Sequence, residues 1–138
     1  MKVAEAMTKN PRAIEPEASL RDCARKMREL DIGCLAVVEN GRLKGVVTDR
    51  DICCRAVAEN RDLDRTPVRE IMSHPVNYCY ANQHLTQAAQ LMKAGHNRRL
   101  PVVDGEGSFV GMLSVDDVAL FSHELAGGVL DVASPRVK

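Results

Sequence analysis

Two short runs hold most of the usable chemistry of this 138-residue chain: Thr48-Asp49-Arg50-Asp51 and Ser114-Val115-Asp116-Asp117. Each sets a hydroxyl three residues ahead of a carboxylate, directly after an apolar run and at the start of a helical stretch. At that spacing a hydroxyl can cap the third helical N–H while the carboxylate reaches back to the cap's own N–H. The same residues suit a second task. A helix start presents unpaired N–H groups and the positive end of the helix dipole, which favours a phosphate. A carboxylate there can accept hydrogen bonds from both hydroxyls of a ribose. On spacing alone, capping and ribose-phosphate binding both stay open.

Other reactive side chains fall into weaker patterns. The five cysteines are Cys23, Cys34, Cys53, Cys54 and Cys79, an odd number at positions that read as core or helix, which fits reduced thiols. The vicinal pair Cys53-Cys54 reads as small apolar residues on a helix rather than as a redox or metal pair. His74, His84, His96 and His123 show no metal-ligand spacing, so no metal site is expected. No histidine follows a triad or nucleophile-elbow pattern, and the chain has neither a Walker loop nor a G-x-G-x-x-G run. No catalytic residue is nominated, and the expectation is that the chain is not an enzyme.

The elements that position these residues come in duplicate. A shift of about 65 residues superposes Val3-Ala-Glu-Ala-Met-Thr8 on Val68-Arg-Glu-Ile-Met-Ser73. Leu20, Cys23, Ala24 and Met27 fall on Leu85, Ala88, Ala89 and Met92, a helical stripe in each copy, the first with Ser19 as N-cap. Leu35, Val37 and Val38 fall on Leu100, Val102 and Val103. Gly45-x-x-Thr48-x-x-Asp51 falls on Gly111-x-x-Ser114-x-x-Asp117. Apolar runs joined by Asn40-Gly41, and by a longer turn from Asp104 to Gly107, predict a hairpin in each copy. Helices are expected from about Asp49 to Ala58 and from about Val115 to His123, with short first strands around Arg12 to Glu15 and Asn77 to Tyr80. Each unit therefore reads strand, helix, strand, strand, helix. The expected boundaries are 1–60 and 68–126 for the repeats and 61–67 for a polar linker. A loosely ordered tail is expected at 127–138.

This βαββα duplication, the Gly-h-h-Thr/Ser-x-x-Asp run ending each hairpin, and Arg98-Arg99-Leu-Pro-Val-Val-Asp104 resemble a cystathionine-β-synthase (CBS) domain pair over nearly the whole chain. The resemblance implies an α/β fold in which the two repeats pack sheet to sheet with pseudo-twofold symmetry, helices outside. It also implies clefts that hold AMP, ADP, ATP, NAD or S-adenosylmethionine as a regulatory ligand. Thr48 and Asp51 would serve one cleft, with Asp49 and Arg50 beside them. Ser114, Asp116 and Asp117 would serve the other. Strands of the opposite repeat would complete each, with adenine near Ile14 or Tyr78 and with Gly33 and Pro101 on the strand starts. Arg98 and Arg99, with His96 nearby, would face Thr48 to Asp51 and supply positive charge for a polyphosphate. The Thr48/Asp51 cleft is on this reading the better nucleotide site. A homodimer and an effector protein of unknown identity would complete the picture. A ligand-free dimerisation or interaction module, its Thr/Ser-x-x-Asp residues only capping helices, is the alternative.

Composition narrows the partners. Nineteen basic and nineteen acidic residues leave no net charge, and aromatics are 3% with no Trp. The broad attraction that nucleic-acid binders use and a base-stacking platform are both missing, so no nucleic-acid partner is expected. No apolar run approaches the roughly 20 residues that span a bilayer, and Glu5 interrupts any apolar signal core. The expectation is a cytoplasmic protein with no membrane partner.

Overall fold

In the computed structural model, which describes residues 1–9 and 12–133, the duplicated pattern becomes a duplicated set of elements. In chain order these are α1 (Val3–Ala6), β1 (Ala13–Ile14), α2 (Leu20–Leu30), β2 (Cys34–Glu39), β3 (Arg42–Thr48) and α3 (Asp49–Ile52). A π-helical turn at Cys53–Val57 continues α3, and a 3₁₀ turn occupies Val68–Glu70. The second copy holds β4 (Cys79–Tyr80), α4 (Leu85–Gly95), β5 (Arg99–Val103), β6 (Phe109–Ser114) and α5 (Val115–Phe121), and α6 (His123–Ala133) follows. They form two three-stranded sheets, β1-β2-β3 and β4-β5-β6, each with a parallel outer pair and an antiparallel hairpin.

Local chemistry sets these elements. In the first hairpin Asn40 and Gly41 both take positive φ, 53° and 78°, the two-residue turn whose twist matches the strands it joins. The second hairpin turns more widely: the Asp104 carboxylate accepts from the N–H groups of Glu106 and Ser108, both at 2.9 Å. Helix α2 starts where Ser19 Oγ accepts from the Asp22 N–H at 3.1 Å, and it buries Leu20, Cys23 and Met27. Helix α4 buries the matching Leu85, Ala88, Ala89 and Met92, but its cap is His84, answered by Gln87. The two helices stop alike, on Asp31 and His96 in the left-handed region.

Two units result, and their membership is not the order of the repeats. One unit is Arg12–Val76; the other joins the segment from Met1 to the stretch from Asn77 onward. Val68 and Ile71, which open the second sequence repeat, lie in one core with Leu20, Met27, Leu35, Val37 and Val47 of the first. Val3 and Ala6, which open the first repeat, lie in the core of Leu85, Met92, Leu100, Leu113 and Val118 of the second. Each leading segment thus completes the other repeat's core.

Two local expectations change. The second-repeat helix stops at Phe121, not His123, because Ser122 is extended and its hydroxyl accepts from the Leu125 N–H at 3.2 Å, starting a new helix. The stretch expected to be a loose tail is helical through Ala133: Ala126 and Val129 are buried in the core, and Leu125 and Ala133 pack against it. That apolar stripe outweighs the helix-weakening Gly127-Gly128 pair. Residues 134–138 of that stretch lie outside the described residues. The polar stretch before Val68 is also bound down. Its Thr66 and Leu63 carbonyls accept from the N–H groups of Leu20 and Arg21, both at 3.0 Å, which satisfies donors that the first turn of α2 leaves unpaired.

Candidate functional site

The helix starts are placed by glycines. A Cβ on Gly45 would lie 2.8 Å from the Ser73 carbonyl oxygen and 2.8 Å from Met72 Sδ. A Cβ on Gly111 would lie 2.9 Å from the Thr8 carbonyl oxygen and 2.7 Å from Met7 Sδ. Only glycine lets the leading segments lie this close to β3 and β6. Ser73 then pairs with Val46 through bonds of 2.9 and 3.2 Å, and Thr8 pairs with Met112 through bonds of 2.9 and 3.2 Å.

Three residues further on, both capping boxes are fully made. The Asp51 N–H donates to Thr48 Oγ1 at 3.1 Å, and the Thr48 N–H donates to Asp51 Oδ2 at 2.9 Å. In the second repeat the Asp117 N–H donates to Ser114 Oγ at 3.0 Å and the Ser114 N–H to Asp117 Oδ2 at 2.9 Å. Asp serves here in place of the longer Glu or Gln of the usual box. A cap acceptor uses one lone pair of the hydroxyl and leaves its proton free to donate. Thr48, Asp51, Ser114 and Asp117 are half-buried, while Asp49, Arg50 and Asp116 are exposed.

Each helix start is joined to the head of the neighbouring strand. The Asp49 N–H donates to the Gly33 carbonyl at 2.9 Å, and the Val115 N–H donates to the Arg98 carbonyl at 2.8 Å. Gly33 is close-packed, since a Cβ there would stand 2.8 Å from Asp49 Oδ2. Arg99 is paired with Ser114 across β5 and β6. Arg98 and Arg99 are exposed and have no ion-pair partner among the described residues. The second helix start therefore has two free guanidinium groups in its own repeat, where the first has Gly33 and Cys34.

The remaining predicted residues sit further along the sheets. Pro101 is buried in β5, two residues beyond Arg99. Ile14 is buried in β1 opposite Val37, two strands from Thr48. It lines an open hollow of about 610 Å³ with Ala13, Lys26, Val38 and Asn40, at the hairpin end of the sheet and away from Thr48. Tyr78 is exposed just before β4, its ring edge-on to Tyr80 at 5.6 Å. Within each unit, then, the structure gathers Gly33 with Thr48 to Asp51, and Arg98 and Arg99 with Ser114 to Asp117. Within its own unit, Ile14 lies two strands from Thr48, and Tyr78 precedes β4, two strands from the strand that ends at Ser114.

Two partners escaped the sequence reading. Arg55 Nε stands 3.8 Å from Asp51 Oδ1, and its guanidinium also donates to the Ile71 carbonyl at 3.1 Å. Thr8 Oγ1 donates to Asp117, 3.4 Å from each carboxylate oxygen. The first had a signal in the i,i+4 spacing of Asp51 and Arg55. The second spans 109 residues and had none. Among the thiols, burial pushes Cys23 up to about 11 and Cys79 up to about 12, while Cys53 and Cys54 are exposed on the π-turn. Among the described residues no group of three or more His, Cys, Asp or Glu side chains is placed to hold a metal ion, and no helix is long and apolar enough to cross a membrane.

Comparison with known proteins gives this geometry a context. A model of the CBS domain matches the chain twice, at residues 3–56 and 68–124. The chain is 38% identical over 130 residues to the CBS domain-containing protein YhcV of Bacillus subtilis, covering 93% of this chain and 91% of that protein. Among solved structures, the CBS domain protein PAE2072 from Pyrobaculum aerophilum complexed with AMP matches with a TM-score of 0.79 and 27% identity, over 98% of this chain and 100% of that one. Hypoxic Response Protein I with two coordinated zinc ions matches with a TM-score of 0.82 and 28% identity, over 88% of this chain and 99% of that one.

Proposed function

The chain belongs to the CBS-domain family, and from that premise we propose that it is a regulatory module whose ligand is an adenosine nucleotide, with AMP the first candidate. The observation that carries this reading is the paired hydroxyl-x-x-Asp helix start, present twice with the same hydrogen bonds. A hydroxyl proton left free by capping suits a phosphate oxygen, and a half-buried carboxylate suits the two hydroxyls of a ribose. Arg98 and Arg99 supply the counter-charge that a phosphate needs. AMP in the related PAE2072 supports the choice among nucleotides. ATP, NAD and S-adenosylmethionine are the other ligands to be tried.

In the finer form of the proposal, Thr48 and Asp51 bind the ribose with Asp49 and Arg50 at their side, and Ser114, Asp116 and Asp117 form a second, weaker position. Arg98 and Arg99 meet the phosphate, while Ile14, Gly33, Tyr78 and Pro101 contribute to the adenine surroundings. Ligand binding shifts a conformational equilibrium that a partner protein reads, in a cytoplasmic homodimer that does no chemistry of its own.

Titration calorimetry with AMP, ATP, NAD and S-adenosylmethionine tests this. The expected outcome is AMP binding with a Kd well below about 1 mM, which corresponds to roughly 4 kcal/mol. Binding by none of the four at that level rejects the sensor. A second reading has its own support: both capping boxes are complete without any ligand, as a purely structural pair would be. Asp51→Ala separates the two. A sensor loses AMP binding; a cap alone loses about 1 kcal/mol of stability and has no ligand to lose.

A further inference from the structure

We propose that Arg55 is the positioning residue that orients Asp51 toward its ligand and links occupancy there to the segment Val68–Ser73. This rests on the nucleotide-binding reading above and adds a residue and a route to it. Arg55 is the one side chain among the described residues with polar contacts to both parts: its Nε faces Asp51 Oδ1 at 3.8 Å, and its guanidinium donates to the Ile71 carbonyl at 3.1 Å. The Asp51 side chain is 15% exposed and its other oxygen, Oδ2, is committed to the Thr48 N–H. Oδ1 is therefore the oxygen left for a ligand, and Arg55 is the group that aims it. A ribose hydroxyl arriving at Oδ1 must share or displace the guanidinium.

Any such shift is felt at Ile71. That residue is buried in the core, and two residues later Ser73 is bonded to Val46, itself two residues before Thr48. Asp51, Arg55, Ile71, Ser73 and Val46 make a closed loop of contacts around the helix start. The second repeat is built otherwise. Four residues after Asp117 stands Phe121, which carries no charge, and the leading segment reaches the carboxylate directly through the Thr8 hydroxyl. The Thr8 hydroxyl is a neutral link with 3.4 Å contacts, whereas Arg55 brings a charge, ion-paired with Asp51 at 3.8 Å and hydrogen-bonded to the Ile71 carbonyl. The first repeat thus has a charged coupling that the second lacks.

Hydrogen exchange of the full chain with and without AMP tests the proposal, read at the amides of Ile71, Met72 and Ser73. In the unsubstituted protein, saturating AMP is expected to slow their exchange. Arg55→Ala is expected to bind AMP roughly fivefold more weakly and, at saturating AMP, to show no slowing at these amides. Arg55→Lys, which keeps the charge but not the two-ended guanidinium, is expected to recover affinity and not the slowing. If Arg55→Ala melts early, Arg55→Gln, which keeps a donor, serves the same comparison. AMP binding without slowing in the unsubstituted protein, or slowing that survives in Arg55→Ala or Arg55→Gln, overturns this inference and leaves nucleotide binding standing. Absence of AMP heat in the unsubstituted protein overturns both.

Discussion

The two helix starts use one backbone design and two electrostatic settings. Thr48 and Asp51 make the same pair of bonds as Ser114 and Asp117, at distances within 0.1 Å of each other. At the first helix start Gly33 meets Asp49 and the Arg55 guanidinium faces Asp51; at the second, Arg98 meets Val115, Arg99 pairs with Ser114 and the Thr8 hydroxyl reaches Asp117. Capping geometry is thus common to both and cannot by itself say which position takes a ligand. The neighbours, which the capping bonds leave free to vary, carry that distinction.

The largest expected effect is one in which the repeats should agree. Gly45→Val and Gly111→Val each drive a side chain against a backbone carbonyl, and each is expected to cost about 3 kcal/mol in a urea titration. A tolerated substitution in one repeat alone would break the equivalence of the two close approaches. Next come the aspartates, where the repeats should part. Asp51→Ala is expected to weaken AMP binding roughly a hundredfold and Asp117→Ala less than tenfold, measured by calorimetry. The reverse order would assign the ligand to the second helix start. The double change Arg98→Ala, Arg99→Ala is expected to weaken ATP roughly tenfold and adenosine hardly at all, because only the former has phosphates. Equal losses for both would remove the arginines from the phosphate position.

Smaller effects sharpen the comparison at the other helices. Ser19→Ala removes the cap of α2 and is expected to lower stability by about 1 kcal/mol in thermal melts. His84→Ala tests whether an imidazole cap on α4 matters as much. Thiol labelling adds a kinetic contrast: Cys53 and Cys54 should react in the native protein, while Cys23 and Cys79, buried and raised to about 11 and about 12, should react only on unfolding.

Features with short sequence signals were the legible ones. The Leu20–Cys23–Met27 stripe, the Asn40-Gly41 turn and the Thr48/Asp51 box are each specified within a few residues, and the structure contains all three. Duplication then gave the element order twice. What stayed hidden depends on distant partners. Arg55 meets a carbonyl 16 residues away, and Thr8 meets a carboxylate 109 residues away. The helix through Gly127-Gly128 is not legible in its own propensity, because its stabilising contacts lie in a core built from other elements. The exchange of leading segments was hidden for a different reason. Val3-Ala4-Glu5-Ala6-Met7-Thr8 and Val68-Arg69-Glu70-Ile71-Met72-Ser73 follow the same pattern, so pattern alone cannot choose which core each one enters.

That exchange makes the order of synthesis matter. As the chain leaves the ribosome, the unit Arg12–Val76 has all its parts once Val76 has emerged, and it can close before most of the second repeat exists. Val3 and Ala6 emerge before that unit but must wait for Leu100, Leu113 and Val118 before they are buried. A gene cut between the repeats would therefore encode two fragments, each carrying the other's missing piece, and mixing them is the way to restore both cores.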